Sequence, residues 1–120
     1  MTVLIVESNR DLGALWKRHI ERQGNRAMLV HSQNAAIDAL RDNCISCVVL
    51  DLVLEEGSAF AVADYASYRY PNLNVVFVTS STFFSDGSIF RHAPNACAYL
   101  PTATRPDDLA AMVEHYAARD

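Results

Sequence analysis

Short apolar runs alternate with longer stretches in which apolar residues recur every three or four positions, and the alternation repeats about five times. Runs of this kind bounded by turn signals read as buried strands, and the longer period reads as amphipathic helix. Val3-Leu4-Ile5-Val6 is the first predicted strand. A helix carrying Leu12, Leu15, Trp16, His19 and Ile20 follows it and stops at Gly24. Ala27 to Val30 is the second strand, and Ser32 is placed to cap a helix over about Ala35 to Leu40. Cys47-Val48-Val49-Leu50, apolar throughout, suits a third strand buried on both faces. Gly57 and Ser58 open a helix to about Tyr68, which Pro71 ends, and Val75-Val76-Phe77-Val78 is the fourth strand.

The next segment, 80–94, reads as a helix with the poorest pattern of the five, because it holds Gly87 and four serines. Its apolar residues fall in pairs, Phe83-Phe84 and Ile89-Phe90. Cys97-Ala98-Tyr99-Leu100 is a short fifth strand. Pro106-Asp107-Asp108 then starts a last helix, with proline in the first turn, acids at the positive dipole end, and Leu109, Met112, Val113 and Tyr116 on one stripe. Parallel strands joined by right-handed helical crossovers give a doubly wound α/β sheet whose strand C-terminal ends share one edge. Glu7, Asp51, Thr79 and Thr102 stand on that edge. Asp51 is the most pointed of them: a carboxylate closing a buried strand lies where such sheets place their chemistry.

With 120 residues, 51% hydrophobic and 20% charged, the chain has the size and composition of one folded domain, residues 1–120. The formal charge of −4 argues against a phosphate-tracking surface, so no direct nucleic-acid binding is expected. No apolar stretch approaches the roughly 20 residues that span a bilayer, and the N-terminus lacks the basic region of a signal peptide. A cytoplasmic protein without membrane contact is expected. Cys44, Cys47 and Cys97 are an odd number that suggests no disulfide framework, and Cys44-x-x-Cys47 lacks the second Cys or His pair of a zinc site. His19, His31, His92 and His115 are scattered without i, i+4 pairing. No phosphate-cradling glycine pattern and no nucleophile elbow are present.

Several pieces in one register resemble the receiver domain of bacterial two-component response regulators, over the whole length of the chain. They are Val3 to Glu7, Val48-Val49-Leu50-Asp51-Leu52 with the loop from Leu54 to Ser58, Val76-Phe77-Val78-Thr79, Asn95 to Leu100, and Arg105-Pro106-Asp107-Asp108-Leu109. The resemblance implies a flavodoxin-like (βα)5 fold, a doubly wound five-stranded parallel sheet of strand order 2-1-3-4-5. It implies a signalling module rather than an enzyme, with Asp51 as phosphoacceptor and Thr79 donating a hydrogen bond to the phosphoryl group. Glu7, Asp51 and the Val53 backbone carbonyl are the implied Mg²⁺ ligands, and Thr79 with Tyr99 the implied switch pair. Tyr99 is equally readable as a strand aromatic with its hydroxyl in water, and Thr79 as a strand-end hydroxyl satisfying a turn.

Two positions depart from the family. Ser8 stands where the second metal-binding acid belongs, and Thr102 stands at the position of the phosphate-binding lysine, followed by Ala103 in place of a proline. Of ten basic residues nine are Arg, and the one lysine is Lys17, so no lysine near Thr102 takes over. Weak Mg²⁺ binding and slow or silent phosphorylation are expected, because phosphoryl transfer depends on charges arranged around it. Glu55 and Glu56 add acids to the rim and read as solvated side chains, with a substitute ligand as the alternative. Expected partners are a histidine kinase or phosphotransfer protein, and a downstream protein or second copy across the face of the fourth helix, fifth strand and last helix. A pseudo-receiver, binding partners without phosphorylation, is the second reading.

Overall fold

The computed structural model describes residues 1–79 and 95–117. Strands β1 (Thr2–Val6), β2 (Arg26–Val30), β3 (Cys47–Asp51), β4 (Asn74–Thr79) and β5 (Ala96–Pro101) form one sheet in the order β2-β1-β3-β4-β5. Every neighbouring pair is parallel. Helices α1 (Arg10–Arg22), α2 (Gln33–Asp42) and α3 (Ala59–Arg69) join the first four strands, and a C-terminal helix (Pro106–Ala117) follows β5. This is the predicted doubly wound sheet in its predicted order. Each strand extends one residue past its expected apolar run at one or both ends, as at Thr2, Arg26, Asp51 and Thr79. The helix expected over 80–94, with Phe83-Phe84 and Ile89-Phe90, lies outside the described residues.

The sheet is buried on both faces because successive side chains of a strand point to opposite sides. Leu4, Val6, Val48, Leu50 and Phe77 pack against α2 and α3 through Ala36, Leu40, Val62 and Ala66. Val3, Ile5, Cys47, Val49, Val76 and Val78 pack on the other side with Trp16 and Ile20 of α1 and Leu109 and Val113 of the C-terminal helix. Three helix starts are capped, by Asn9, Ser32 and Ser58, whose side-chain oxygens accept from Leu12, Ala35 and Ala61 N–H at 3.0, 3.2 and 3.4 Å. Each cap satisfies an amide that the helix itself leaves unpaired. Asn9 starts α1 earlier than its apolar stripe does.

The C-terminal helix is held at its far end by polar side chains. Asn25 Nδ2 donates to Glu114 Oε2 at 3.0 Å, Asn74 Nδ2 to the Tyr116 carbonyl at 3.3 Å, and the Tyr116 hydroxyl to the Cys97 carbonyl at 3.1 Å. Asn25, Asn74 and Cys97 all lie at or beside the N-terminal ends of strands.

Candidate functional site

Parallel strands bring the residues after β1, β3, β4 and β5 to one edge, and the carboxylates of Glu7 and Asp51 meet there. Glu7 follows the last residue of β1 and is 2% exposed; Asp51 ends β3 and is half-buried. Asn9 N–H donates to Glu7 Oε2 at 3.2 Å, while Oε1 is buried with no donor in reach among the described residues. Burial, then the hydrogen bond that protonated Glu7 donates to Asp51 and the repulsion of the Asp51 charge, push the Glu7 pKa from the ordinary 4.5 up to about 8; the Asn9 and Ser8 amides pull the other way. Near neutral pH Glu7 is therefore mainly protonated and supplies its own donor to Asp51. Summing the formal charges of the two carboxylates overstates the site: the pair holds close to one negative charge rather than two.

Asp51 Oδ1 accepts from the Val53 N–H at 2.9 Å, which turns the chain sharply after β3. Val53 itself is 60% exposed. Thr79 is 1% exposed at the end of β4, and its carbonyl accepts from the Thr102 N–H at 3.1 Å. Asp51 pairs in the sheet with Val78, so Thr79 lies one residue beyond the partner of Asp51. Tyr99, opposite Phe77 in the ladder, stacks on it with ring centroids 5.2 Å apart. Burial raises the Tyr99 hydroxyl to a pKa of about 12, so it is not the water-facing aromatic that one reading expected.

Ser8 turns to the loops. Its Oγ accepts from the Glu55 N–H at 2.9 Å and makes a longer 3.5 Å bond to the His31 carbonyl. His31 Nδ1 donates in turn to the Glu7 carbonyl at 2.9 Å. Glu55 and Glu56 are exposed, and among the described residues no cluster of three or more acid, His or Cys side chains is arranged for a metal. Arg105 points away, 76% exposed and paired with Asp107 at 3.2 Å, and Lys17 pairs with Glu21 on α1. Among the described residues no cation is paired with Glu7 or Asp51.

Sequence reasoning missed His31 and Gln33. Gln33 Oε1 accepts from the Ser58 N–H at 2.8 Å, and its own N–H donates to the Glu56 carbonyl at 3.1 Å. Position alone was the available signal for His31, which directly follows a strand ending on the same edge. Gly57 has φ of +92°, and a Cβ there would run into the Gln33 side chain. Gly57→Ala is expected to lower unfolding free energy by about 1–2 kcal/mol, through the left-handed backbone and the lost close approach. A urea titration checks this; an unchanged midpoint would contradict it.

The cysteines are unsuited to redox or zinc chemistry. Cys44 is exposed and Cys47 is buried, so the C-x-x-C pair does not share one surface. Burial pushes the Cys47 thiol to about 12 and Cys97 to about 11, far from a reactive thiolate.

Strand order, the crossover helices and an acidic pair at the C-terminal edge define the doubly wound fold of receiver, or CheY-like, domains. No protein-family model matches the sequence and no curated protein is similar to it, so the likeness is one of structure. A response regulator receiver domain protein of Methanospirillum hungatei JF-1 superposes with a TM-score of 0.87 at 16% identity, covering 97% of this chain and 92% of that one. The non-phosphorylated HemR receiver domain of Leptospira biflexa gives 0.86 at 22% identity over 99% and 95%. The signal receiver domain of a putative LuxO repressor protein from Vibrio parahaemolyticus gives 0.84 at 21% identity over 97% and 88%. Identities this low establish the shared fold.

Proposed function

We propose that this chain is a receiver module of two-component signalling, one unit over residues 1–120, whose phosphoacceptor Asp51 works in an impaired site. The observation that carries the reading is the Glu7–Asp51 carboxylate pair at the C-terminal edge of a receiver fold. In phosphorylation, an Asp51 oxygen attacks the phosphorus of a phosphohistidine or small acyl phosphate. The donor's P–N or P–O bond breaks with its electron pair leaving on the donor, and an aspartyl phosphate remains. Thr79, at the end of β4, and Thr102, after β5, would supply hydroxyls to the phosphoryl oxygens, Thr102 in place of a full ammonium charge.

The donor set suits a weakly held Mg²⁺: the buried Glu7 Oε1 has no donor among the described residues, and Asp51 and the Val53 carbonyl would complete the set. When bound, the ion would neutralise charge between the carboxylates and the phosphoryl oxygens. Ser8 adds nothing to that set, because its hydroxyl is committed to Glu55 and His31. Binding must also displace the Glu7 proton, so affinity rises with pH toward about 8. The same two observations favour a second reading, a pseudo-receiver that binds partners without phosphorylation. A histidine kinase or phosphotransfer protein is the partner of the first reading, and a downstream protein or second copy at β5 and the C-terminal helix serves both.

Intact-mass analysis after incubation with acetyl phosphate and Mg²⁺ separates them. A slowly formed adduct of one phosphoryl group, absent from Asp51→Asn, is expected. Adduct that persists in Asp51→Asn overturns the assignment, and no adduct at any Mg²⁺ concentration leaves the pseudo-receiver.

A further inference from the structure

The segment between β3 and α3, residues 52–58, is tied down at four points beyond the bond of the Leu52 N–H to the Val78 carbonyl of β4. Val53 N–H donates to Asp51, Glu55 N–H to Ser8 Oγ, and Ser58 N–H to Gln33 Oε1, while the Glu56 carbonyl accepts from the Gln33 N–H. Ser8 comes from the loop after β1 and Gln33 from the first position of α2, 47 and 25 residues away from their partners in sequence. Gly57 lets the segment lie against Gln33 with no room for a side chain. Ser8 Oγ also reaches the His31 carbonyl, so one hydroxyl joins the loops after β1, β2 and β3.

We propose that Ser8 and Gln33 form a latch that holds residues 52–58 in place without a metal ion, Ser8 acting as a positioning residue rather than a ligand. The inference rests on the receiver reading of the site for its contrast. An acid at position 8 would face the metal and leave the loop to be ordered through the ion, whereas a hydroxyl bonds the loop directly. Loop order and metal occupancy are thereby uncoupled in this chain. A bound ligand can bias a segment only by its differential affinity for that segment's alternatives, and a segment already latched offers little difference to exploit.

Residue-resolved amide hydrogen exchange on the whole chain, with Mg²⁺ and with chelator, tests the latch. Glu55 and Ser58 amides are expected to be protected in chelator, and Mg²⁺ is expected to leave their rates unchanged. Ser8→Ala should speed Glu55 exchange about fivefold to tenfold while sparing Ser58, and Gln33→Ala should do the reverse, each having lost one hydrogen bond. Unprotected Glu55 and Ser58 amides in the parent protein, or protection that appears only with Mg²⁺, would overturn the latch even if neither variant folds. Adduct formation on Asp51 bears on the receiver reading and leaves the exchange result untouched, so the two can fail separately.

Discussion

The double replacement Ser8→Asp with Thr102→Lys is expected to speed phosphoryl adduct formation on Asp51 by about a hundredfold or more. Single preorganised electrostatic contacts at reacting oxygens are commonly worth factors of about 10²–10³. The lysine does the larger part. An ammonium beside Asp51 supplies the charge that no described cation supplies now, and by favouring ionised carboxylates it also draws the Glu7 pKa down from about 8. Ser8→Asp alone should do much less, because a third carboxylate beside a pair already sharing a proton raises the cost of ionising any of them. The effects should therefore exceed the sum of the single replacements, as expected for groups in contact. Initial rates with acetyl phosphate and Mg²⁺, read by intact mass for the parent, both singles and the double, check this. A double variant that folds but is no faster than the parent would remove the case that these two positions limit the chemistry.

Stability is expected to fall as pH rises from about 4.5 to about 8, because of Glu7. Its folded pKa lies above the unfolded value, so between the two the native state binds more protons than the unfolded one. The protonated side chain's contribution is complete below the unfolded pKa and is lost as pH passes through the folded pKa. Glu7→Gln cannot ionise and keeps a donor toward Asp51. The variant should match the parent near pH 4 and exceed it near pH 9, by on the order of 3–5 kcal/mol. Trp16, the one tryptophan and 1% exposed, reports unfolding by its fluorescence. Urea titrations at the two pH values, with chelator present, provide the comparison. Equal pH slopes for parent and variant would mean that Glu7 ionises normally.

Much of the architecture was legible because it rests on local patterns. Uninterrupted apolar runs such as Val48-Val49-Leu50 mark strands buried on both sides, and Ser32 and Ser58 mark helix starts through short-range hydrogen bonds. The position of Glu7 and Asp51 on one edge followed from strand polarity alone. What stayed hidden depends on distance through space. The bond from Glu55 to Ser8 spans 47 residues and the contact of Ser58 with Gln33 spans 25, and nothing in either neighbourhood announces the other. Glu7 read as an ordinary acid because sequence conveys its identity but not its burial. Desolvation and the nearby Asp51, which keep a proton on it, exist only in the folded site.

The anchors of the C-terminal helix have a mechanical consequence. Asn25, Asn74 and Cys97 hold Glu114 and Tyr116 at the N-terminal edge of the sheet, whereas the helix begins beside Thr102 at the opposite, carboxylate-bearing edge. Leu109 and Ala110 near its start are buried in the core, so apolar packing holds that end while polar contacts hold the other. Apolar packing has no preferred direction whereas a hydrogen bond does, so the Tyr116 end fixes where the helix sits along its own axis.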